Sequence, residues 1–276
     1  MSDQYAVFGH PVDHSWSPFI HGLFARQTGQ DMSYRKQDVA PADLAQRVNA
    51  FFTMGGRGLN LTAPHKSMGA VIADQLTPRA ETASAVNTLA WEKDANRVLG
   101  DNTDGVGMVR DLRDNIGLPL ADKRILICGA GGATRGVLAP LLAEQVQEVV
   151  IANRNVGRAQ LLAETFRAHG SVRGCGYEDV AAGPPFDLII NATSAGLRGE
   201  LPQLLPTALD PETICYDMSY SKSHTLFCDW AIARGCREVH QGWGLLVEQA
   251  AESFLLWRGV RPETAPVLAV LLEHNS

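Results

Sequence analysis

One segment limits the possible folds more than any other: a run of apolar residues followed at once by a glycine-rich turn and a helical pattern. Residues 124–128 read Arg-Ile-Leu-Ile-Cys, and residues 129–136 read Gly-Ala-Gly-Gly-Ala-Thr-Arg-Gly. A strand that is apolar at nearly every position is typical of a parallel sheet covered on both faces. Glycines before a helix N-terminus let backbone N–H groups approach a pyrophosphate. The segment therefore predicts half of a nucleotide-binding βαβ unit.

Strand and helix patterns alternate along most of the chain. Strands are predicted at 5–9, 34–39, 58–61, 124–128, 148–152, 186–192 and 213–218, and a long helix at 104–117. Ser17 followed by Pro18 is typical of a helix N-cap and first turn, and Gly29 ends that pattern. Such alternation predicts an α/β fold, and 276 residues correspond to about two domains. Periodicity does not decide which domain contains the last two helical patterns, 244–257 and 262–272.

Composition and charge exclude several classes of function. Lys and Arg number 24 against 30 Asp and Glu, a net charge of −6, which disfavours binding to nucleic acid. No apolar stretch approaches the roughly 20 residues that span a bilayer, and the N-terminus lacks a signal-peptide pattern, so we expect no membrane partner and a cytoplasmic location. Five cysteines without C-x-x-C spacing favour reduced thiols. His10 and His14 lack an acidic partner at ligand spacing, so no metal site is predicted.

The residues after the second strand of the βαβ unit indicate which cofactor it binds. An NAD enzyme usually has a carboxylate there to hold the ribose hydroxyls, whereas this chain has Asn153 and Arg154, with Arg158 one helical turn further on. A guanidinium favours a 2′-phosphate, so NADP is predicted over NAD. The alternative is that both arginines are only solvated residues at a helix start. Thr134 also departs from the glycine or alanine usual at the third position of the glycine motif.

Small polar residues cluster at the ends of several strands in the first 104 residues. Each cluster has a structural explanation by itself, as a cap, a turn or a surface charge, but together they predict a pocket for a polyhydroxylated small molecule. Hydride transfer to a carbonyl requires a proton donor, and Lys66 with Asp104 could supply it, with His10, His14 and His21 as rival acids. The clusters are Ser15 with Ser17; Asn60 with Thr62 and Lys66; Asn87 with Thr88; and Asn102 with Asp104.

These clusters occur inside longer motifs that run in order through nearly the whole chain. They are Ser-Trp-Ser-Pro at 15–18, Asn-Leu-Thr-Ala-Pro-His-Lys at 60–66, Ala-Val-Asn-Thr at 85–88, Gly-Asp-Asn-Thr-Asp-Gly at 100–105, the glycine turn at 129–136, Asn-Ala-Thr-Ser-Ala-Gly at 191–196, Asp-Met-Ser-Tyr at 217–220 and Gly-Leu-Leu-Val-Glu-Gln-Ala at 244–250. With these motifs the chain resembles the shikimate dehydrogenase family, whose members belong to aromatic amino-acid (chorismate) biosynthesis.

The resemblance implies an NADP-dependent oxidoreductase that reversibly reduces 3-dehydroshikimate to shikimate, with Lys66 and Asp104 as the catalytic pair. It implies a mostly parallel α/β substrate-binding domain over 1–104, completed by C-terminal helices in 245–276, and a Rossmann-like NADP-binding domain over 105–244. The implied substrate contacts are Ser15, Ser17, Asn60, Thr62, Lys66, Asn87, Asp104, Tyr220 and Gln249. The implied cofactor contacts are Gly129, Ala130, Gly131, Gly132, Ala133, Asn153, Arg154, Arg158, Thr193, Ser194, Met218, Gly242 and Leu245.

Three residues depart from the pattern of the family. Leu245 stands where methionine is frequent, Asn155 where threonine is common, and Trp16 between the two serines where a smaller or basic residue is usual. None of them removes an implied ligand. Two alternatives remain open at this point: a quinate or shikimate dehydrogenase that uses NAD, and a divergent paralogue that senses a ligand without turnover. A monomer or a homodimer is expected.

Overall fold

The computed structural model describes residues 2–180, 184–204 and 208–274. The chain divides into two compact units. Unit 1 comprises Met1–Met108 and Leu246–Leu271, and unit 2 comprises Val109–Leu245 and Leu272–Ser276. The last helices of the chain thus contribute mainly to unit 1.

The elements alternate between strand and helix in both units. The strands are β1 (Asp3–Gly9), β2 (Met32–Asp38), β3 (Gly56–Leu61), β4 (Gln75–Leu76), β5 (Thr88–Glu92), β6 (Arg97–Asp101), β7 (Arg124–Cys128), β8 (Glu148–Ala152), β9 (Val172–Cys175), β10 (Leu188–Asn191), β11 (Ile214–Asp217) and β12 (Glu238–Gln241). The helices are α1 (Ser17–Thr28), α2 (Leu44–Thr53), α3 (Lys66–Ile72), α4 (Pro78–Ala83), α5 (Asp104–Arg110), α6 (Gly132–Ala143), α7 (Val156–Phe166), α8 (Leu226–Ile232), α9 (Trp243–Arg258) and α10 (Ala265–Glu273).

The sheet of unit 1 brings its polar loops to one edge. Its order is β2-β1-β3-β5-β6-β4, with β1 parallel to β2 and β3, and β5 antiparallel to β3 and β6. In the observed register Thr88 lies opposite both Asn60 and Asp101. The start of β5 therefore lies beside the carboxyl ends of β3 and β6. This register places the residues that follow β3, precede β5 and follow β6 next to one another.

Two helix predictions in the first part of the chain need correction. Trp16, and not Ser17, occupies the N-cap of α1, and the helix begins at Ser17 without a side-chain cap. The Ser17 hydroxyl instead accepts a hydrogen bond from Ser15 Oγ at 3.2 Å. The helix predicted at 104–117 is α5, which ends at Arg110 and continues as one π-helical turn over Asp111–Asn115.

Unit 2 contains a six-stranded sheet that is parallel throughout, in the order β12-β11-β10-β7-β8-β9. The strand order reverses beside β7, the strand that leads into the glycine turn, and ligands bind at such switch points in open α/β sheets. Buried strand residues such as Leu126, Val150 and Ile189 pack into the core of this unit. The predicted α/β class, with one mostly parallel sheet and one Rossmann-like sheet, is confirmed.

Among the described residues, no helix combines the length and the apolar character needed to cross a bilayer.

Candidate functional site

The predicted catalytic pair is formed in unit 1. Lys66 is the first residue of α3 and Asp104 is the first residue of α5, so each follows a loop at the same edge of the sheet. The Lys66 Nζ atom lies 2.7 Å from Asp104 Oδ2. Asp104 is only 6% exposed, and its backbone N–H donates to Asn102 Oδ1 at 3.1 Å. The short loop before α5 thus fixes the carboxylate that holds the ammonium group.

Asn87 connects this pair to the residues around it. Its Nδ2 donates to Asp104 Oδ1 at 2.9 Å, to Thr103 Oγ1 at 2.8 Å and, at 3.3 Å, to Gln249 Oε1. Its Oδ1 accepts from the backbone N–H of Thr103 at 2.9 Å. Both Asp104 oxygens are therefore occupied, one by Lys66 and one by Asn87, which fixes the plane of the carboxylate.

Helix α9 supplies Gln249 to this cluster because α5 and α9 approach closely. A Cβ atom at Gly107 would lie 2.7 Å from the Gln249 backbone nitrogen, so only glycine allows this distance. The Thr103 hydroxyl donates to the Gln249 carbonyl at 3.0 Å, and Ser253, four residues further along α9, also donates to it. The sequence prediction missed Gly107, Thr103 and Ser253 as contributors. The four-residue spacing of Gln249 and Ser253 on one helix face was a usable signal for Ser253.

Asn60 lies at the end of β3 and is hydrogen-bonded on both sides of its amide. Nδ2 donates to Asn87 O and Thr88 Oγ1, both at 3.1 Å, and to Ser253 Oγ at 3.0 Å. Oδ1 accepts from the Tyr34 hydroxyl at 2.7 Å. Asn60 is 7% exposed, so this amide is a buried part of the network.

The remaining predicted substrate contacts lie in both units. Ser15 and Ser17 form a hydroxyl pair at the start of α1, and the Thr62 backbone N–H donates to Phe8 O at 2.9 Å. Tyr220 lies in unit 2, where its ring packs on Trp243 with centroids 4.3 Å apart. Burial raises the pKa of Tyr220 to about 12, so the phenol is neutral at physiological pH. Among all the predicted substrate contacts, the structure joins five by hydrogen bonds into one cluster in unit 1: Asn60, Lys66, Asn87, Asp104 and Gln249.

In unit 2 the glycine turn follows β7 at the switch point. Gly129 has a φ of +106°, a conformation that side chains other than glycine rarely adopt. Gly131 and Gly132 are exposed, and a Cβ atom at either would meet nothing within 4 Å. The Thr134 hydroxyl, fully buried, donates to Gly129 O at 2.7 Å. The turn therefore presents open backbone at the start of α6, which suits a pyrophosphate, and Thr134 stabilises it despite departing from the usual motif.

The predicted adenosine side of the cofactor site follows β8. Asn155 caps α7 by accepting from the Arg158 backbone N–H at 3.1 Å, and Asn153 Nδ2 donates to Asn155 O at 2.9 Å. Arg154 and Arg158 are exposed, and neither guanidinium has an ion pair with a described carboxylate. Since residues 153–158 contain no acidic residue, this end of the sheet fits a 2′-phosphate.

The other predicted cofactor residues follow strands at the same edge of this sheet. Thr193 Oγ1 donates to Asn191 Oδ1 at 2.7 Å, and Ser194 beside it is exposed. The Met218 backbone N–H donates to Asn191 O at 3.0 Å. A Cβ atom at Gly242 would lie 2.3 Å from the Met218 carbonyl oxygen, so the chain requires glycine there. These residues come directly after β10, β11 and β12, as expected for groups that line a ligand along a parallel sheet.

Asp111, which the sequence prediction missed, fixes the start of α9 near Leu245. Its Oδ2 accepts from the Tyr216 hydroxyl at 2.6 Å. A Cβ atom at Gly244 would lie 1.7 Å from Asp111 Oδ1, so the carboxylate sits directly on the first turn of the helix. Burial raises the pKa of Asp111, and its hydrogen bonds offset this only in part. No pattern in the sequence connects residues 111 and 244.

Unit 2 has a parallel sheet with an open glycine turn at its switch point, and unit 1 has a lysine–aspartate pair whose carboxylate is buried and whose lysine is half-buried. Together these features define a dinucleotide-dependent enzyme that acts on a polar small molecule. Three family models match the chain: the shikimate dehydrogenase substrate binding domain over residues 7–89, shikimate / quinate 5-dehydrogenase over 111–198, and the shikimate 5'-dehydrogenase C-terminal domain over 242–272. Among the described residues, no group of three or more His, Cys, Asp or Glu is arranged to hold a metal ion.

Individual relatives match over nearly their full length. Shikimate dehydrogenase (NADP(+)) of Methylococcus capsulatus is 55% identical, with 98% of this chain and 96% of the relative covered. The crystal structure of an Ael1 enzyme from Pseudomonas putida is 42% identical, covers 98% of each chain and has a TM-score of 0.91. A Thermus thermophilus shikimate 5-dehydrogenase, solved with NADP(H) and shikimate, is 32% identical with a TM-score of 0.86, and 99% of this chain and 100% of that one are covered. The chain belongs to the shikimate dehydrogenase family.

Proposed function

We propose that this chain catalyses the reversible reduction of 3-dehydroshikimate to shikimate with NADPH. The observation that carries the proposal is the 2.7 Å contact of Lys66 Nζ with Asp104 inside a network of amide side chains. The names of the relatives confirm the predicted enzyme class and NADP as the cofactor, and they do not favour the NAD-dependent alternative.

Lys66 is proposed to move the proton of the reaction. When bound, NADPH supplies the hydride that reduces the ring ketone. The oxygen that becomes negative must then receive a proton, and the Lys66 ammonium group carries one at a position fixed by Asp104. In the oxidation direction the same amine accepts the proton from the substrate hydroxyl. Asp104 stabilises the charged amine and orients it, while Asn87 fixes Asp104.

The remaining predicted contacts are proposed as binding residues. In unit 1 they are hydroxyl and amide groups that suit a carboxylate and several ring hydroxyls: Ser15, Ser17, Asn60, Thr62, Asn87 and Gln249, with Tyr220 from unit 2. We also propose that residues 1–104 with the C-terminal helices in 245–276 form the substrate-binding part, and that residues 105–244 bind NADP.

For NADP, the proposed contacts divide by the part of the cofactor they fit. The glycine turn at 129–133 would hold the pyrophosphate, and Asn153, Arg154 and Arg158 the 2′-phosphate end. Thr193, Ser194, Met218, Gly242 and Leu245 would line the rest. The exposed glycine backbone and the absence of a carboxylate at 153–158 support this assignment.

A spectrophotometric assay tests the function directly. The purified chain is mixed with shikimate and either NADP or NAD, and reduced cofactor is followed by its absorbance, with quinate as a second substrate. We expect turnover with shikimate and NADP that exceeds both the NAD and the quinate reactions. Binding of both ligands without turnover would contradict the proposal and favour the ligand-sensing paralogue. Faster turnover with NAD would contradict the assignment of the cofactor.

The oligomeric state, nucleic-acid binding and location stay predictions from the sequence. We expect a monomer or homodimer, no binding to nucleic acid and a cytoplasmic location. Gel filtration with light scattering measures the first, and a mass above that of a dimer would contradict it.

A further inference from the structure

Asn60 can offer a ligand only one kind of hydrogen bond. An amide nitrogen carries two hydrogens, and Nδ2 of Asn60 has three acceptors within 3.1 Å, so both hydrogens are used inside the protein. One lone pair of Oδ1 accepts from Tyr34. The remaining lone pair of Oδ1 is all that Asn60 has left. A ligand at Asn60 must therefore donate, as a substrate hydroxyl does.

Tyr34 is the group that fixes this oxygen. Its hydroxyl lies 2.7 Å from Asn60 Oδ1, and burial raises the pKa of Tyr34 well above its ordinary value. The phenol therefore keeps its proton at neutral pH and acts as the donor in this hydrogen bond. While Thr88, Ser253 and the Asn87 carbonyl hold the nitrogen, Tyr34 is the described donor to the oxygen.

His21 is a buried aromatic neighbour of the Tyr34 ring. The His21 ring stacks on Tyr34 with centroids 4.3 Å apart and planes 9° from parallel. His21 is fully buried, and neither ring nitrogen has a partner with hydrogen-bond geometry among the described residues. Burial lowers the pKa of His21 to about 3, and the nearby Asn60 amide offsets this only in part. A neutral imidazole without hydrogen bonds contributes a flat surface, as the packing of Phe254 and Trp257 around it also indicates.

We propose that Tyr34 and His21 are positioning residues for the substrate: His21 holds the Tyr34 ring by stacking, and the Tyr34 hydroxyl fixes the Asn60 oxygen that accepts a hydrogen bond from a substrate hydroxyl. This inference rests on the proposed function. The placement of His21 one helical turn after Ser17 on α1 supports it, because one buried helix face then carries both a predicted substrate contact and the ring that holds Tyr34.

The test is a steady-state comparison of Tyr34→Phe with the unsubstituted chain. Phenylalanine keeps the ring on His21 and removes only the hydroxyl. We expect the Michaelis constant for shikimate to rise about 5- to 10-fold, the range that corresponds to one lost hydrogen bond, with kcat and the Michaelis constant for NADP within about twofold. Tyr5→Phe is the matched control, since Tyr5 belongs to the same aromatic cluster but its hydroxyl contacts Arg258. That control should leave the Michaelis constant for shikimate unchanged.

A double-mutant cycle separates positioning from a general effect on the fold. In an Asn60→Ala background, Tyr34→Phe should have no further effect on the Michaelis constant for shikimate, because the oxygen it positions is gone. His21→Phe keeps a flat ring beside Tyr34. Its Michaelis constant for shikimate should therefore lie closer to that of the unsubstituted chain than the value for His21→Ala.

An unchanged Michaelis constant in Tyr34→Phe, or the same increase with and without Asn60, would overturn the inference while the proposed function stands. Absence of turnover in the unsubstituted chain would overturn the proposed function and this inference with it.

Discussion

The candidate site of unit 1 is made of buried and half-buried side chains that hydrogen-bond to one another, whereas the glycine turn and the arginines after β8 in unit 2 present open backbone and exposed side chains. In unit 1, Asn87 and Asp104 are 2% and 6% exposed, and each has several partners. In unit 2, Gly131, Gly132 and Arg154 are exposed, and the space in front of the two glycines is open.

This difference indicates two ways of binding a ligand. The groups of unit 1 already have the geometry that they need, since moving one of them breaks bonds to its neighbours. The groups of unit 2 depend on a main-chain conformation and on charge, which tolerate changes in nearby side chains. Substitutions in unit 1 should therefore affect turnover and substrate binding strongly, and those in unit 2 should affect cofactor affinity or the stability of the turn.

The largest effect is expected for Lys66→Ala, which removes the proposed proton donor from the unit 1 network. Proton transfer by a positioned group contributes typically 10²–10⁴-fold, so we expect kcat with shikimate and NADP to fall by about that factor. Lys93→Ala is the matched control, because Lys93 is exposed in the turn between β5 and β6. A Lys66→Ala variant that kept near-normal kcat would remove Lys66 from the mechanism.

A smaller effect is expected for Arg154→Ala on the unit 2 side. The exposed guanidinium is proposed to contact the 2′-phosphate, and a hydrogen bond to a charged group contributes about 1.5 kcal/mol at the lower end of its range. The Michaelis constant for NADPH should therefore rise about 10-fold, while that for NADH stays the same. Arg167→Ala, an exposed arginine paired with Glu164, serves as the control. Equal increases for both cofactors would show that Arg154 does not distinguish them.

Thr134→Ala tests how the glycine turn is stabilised. The substitution removes the buried donor to Gly129 O, so the free energy of unfolding should fall by about 1–2 kcal/mol in urea titrations. In Thr165→Ala the lost bond to Leu161 O is exposed, and the change should stay within about 0.5 kcal/mol. If the two variants lost the same stability, the buried bond at the turn would have no special role.

The same contrast explains what could be predicted from the sequence. The unit 2 site was accessible because its parts are consecutive: strand, glycine turn and helix start follow one another at 124–136. NADP also followed from adjacent residues, Asn153 and Arg154, so neither prediction needed a tertiary contact. Asp111 was missed because its effect depends on its contact with Gly244, which is distant in sequence.

For unit 1, the sequence indicated the residues of the candidate site but not the hydrogen bonds between them. Polar residues at strand ends indicated a pocket, but the contact of Asn60 with Thr88 depends on the antiparallel register of β5, which periodicity does not give. Gln249 was predicted as a substrate contact only through the family resemblance. Tyr34 was read as the start of a strand and His21 as a rival acid, because stacking and burial cannot be seen in a one-dimensional pattern.

The smallest effects concern pH, and there the buried aspartates of the two units should behave in opposite ways. Burial acts to raise the pKa of Asp101 in unit 1, but hydrogen bonds and charge from Arg79 exceed it, and the net result is a lowered pKa. Burial raises the pKa of Asp217 in unit 2, where Thr225 and Ser219 donate hydrogen bonds that offset it only in part.

For each aspartate, the direction in which stability changes with pH follows from the linkage between proton binding and folding. The stabilisation from ionised Asp101 is complete above the unfolded value near 3.8 and is lost as pH falls through its lower folded pKa. For Asp217 the folded state binds the proton first, so stability increases as pH falls from above its raised folded pKa toward 3.8.

Compared with Asp101→Asn, the unsubstituted chain should therefore lose its stability advantage below about pH 4. Compared with Asp217→Asn, it should gain stability on acidification above pH 4. Unfolding free energies of the three proteins across this range measure both slopes, and slopes of the same sign would contradict the contrast between the two units.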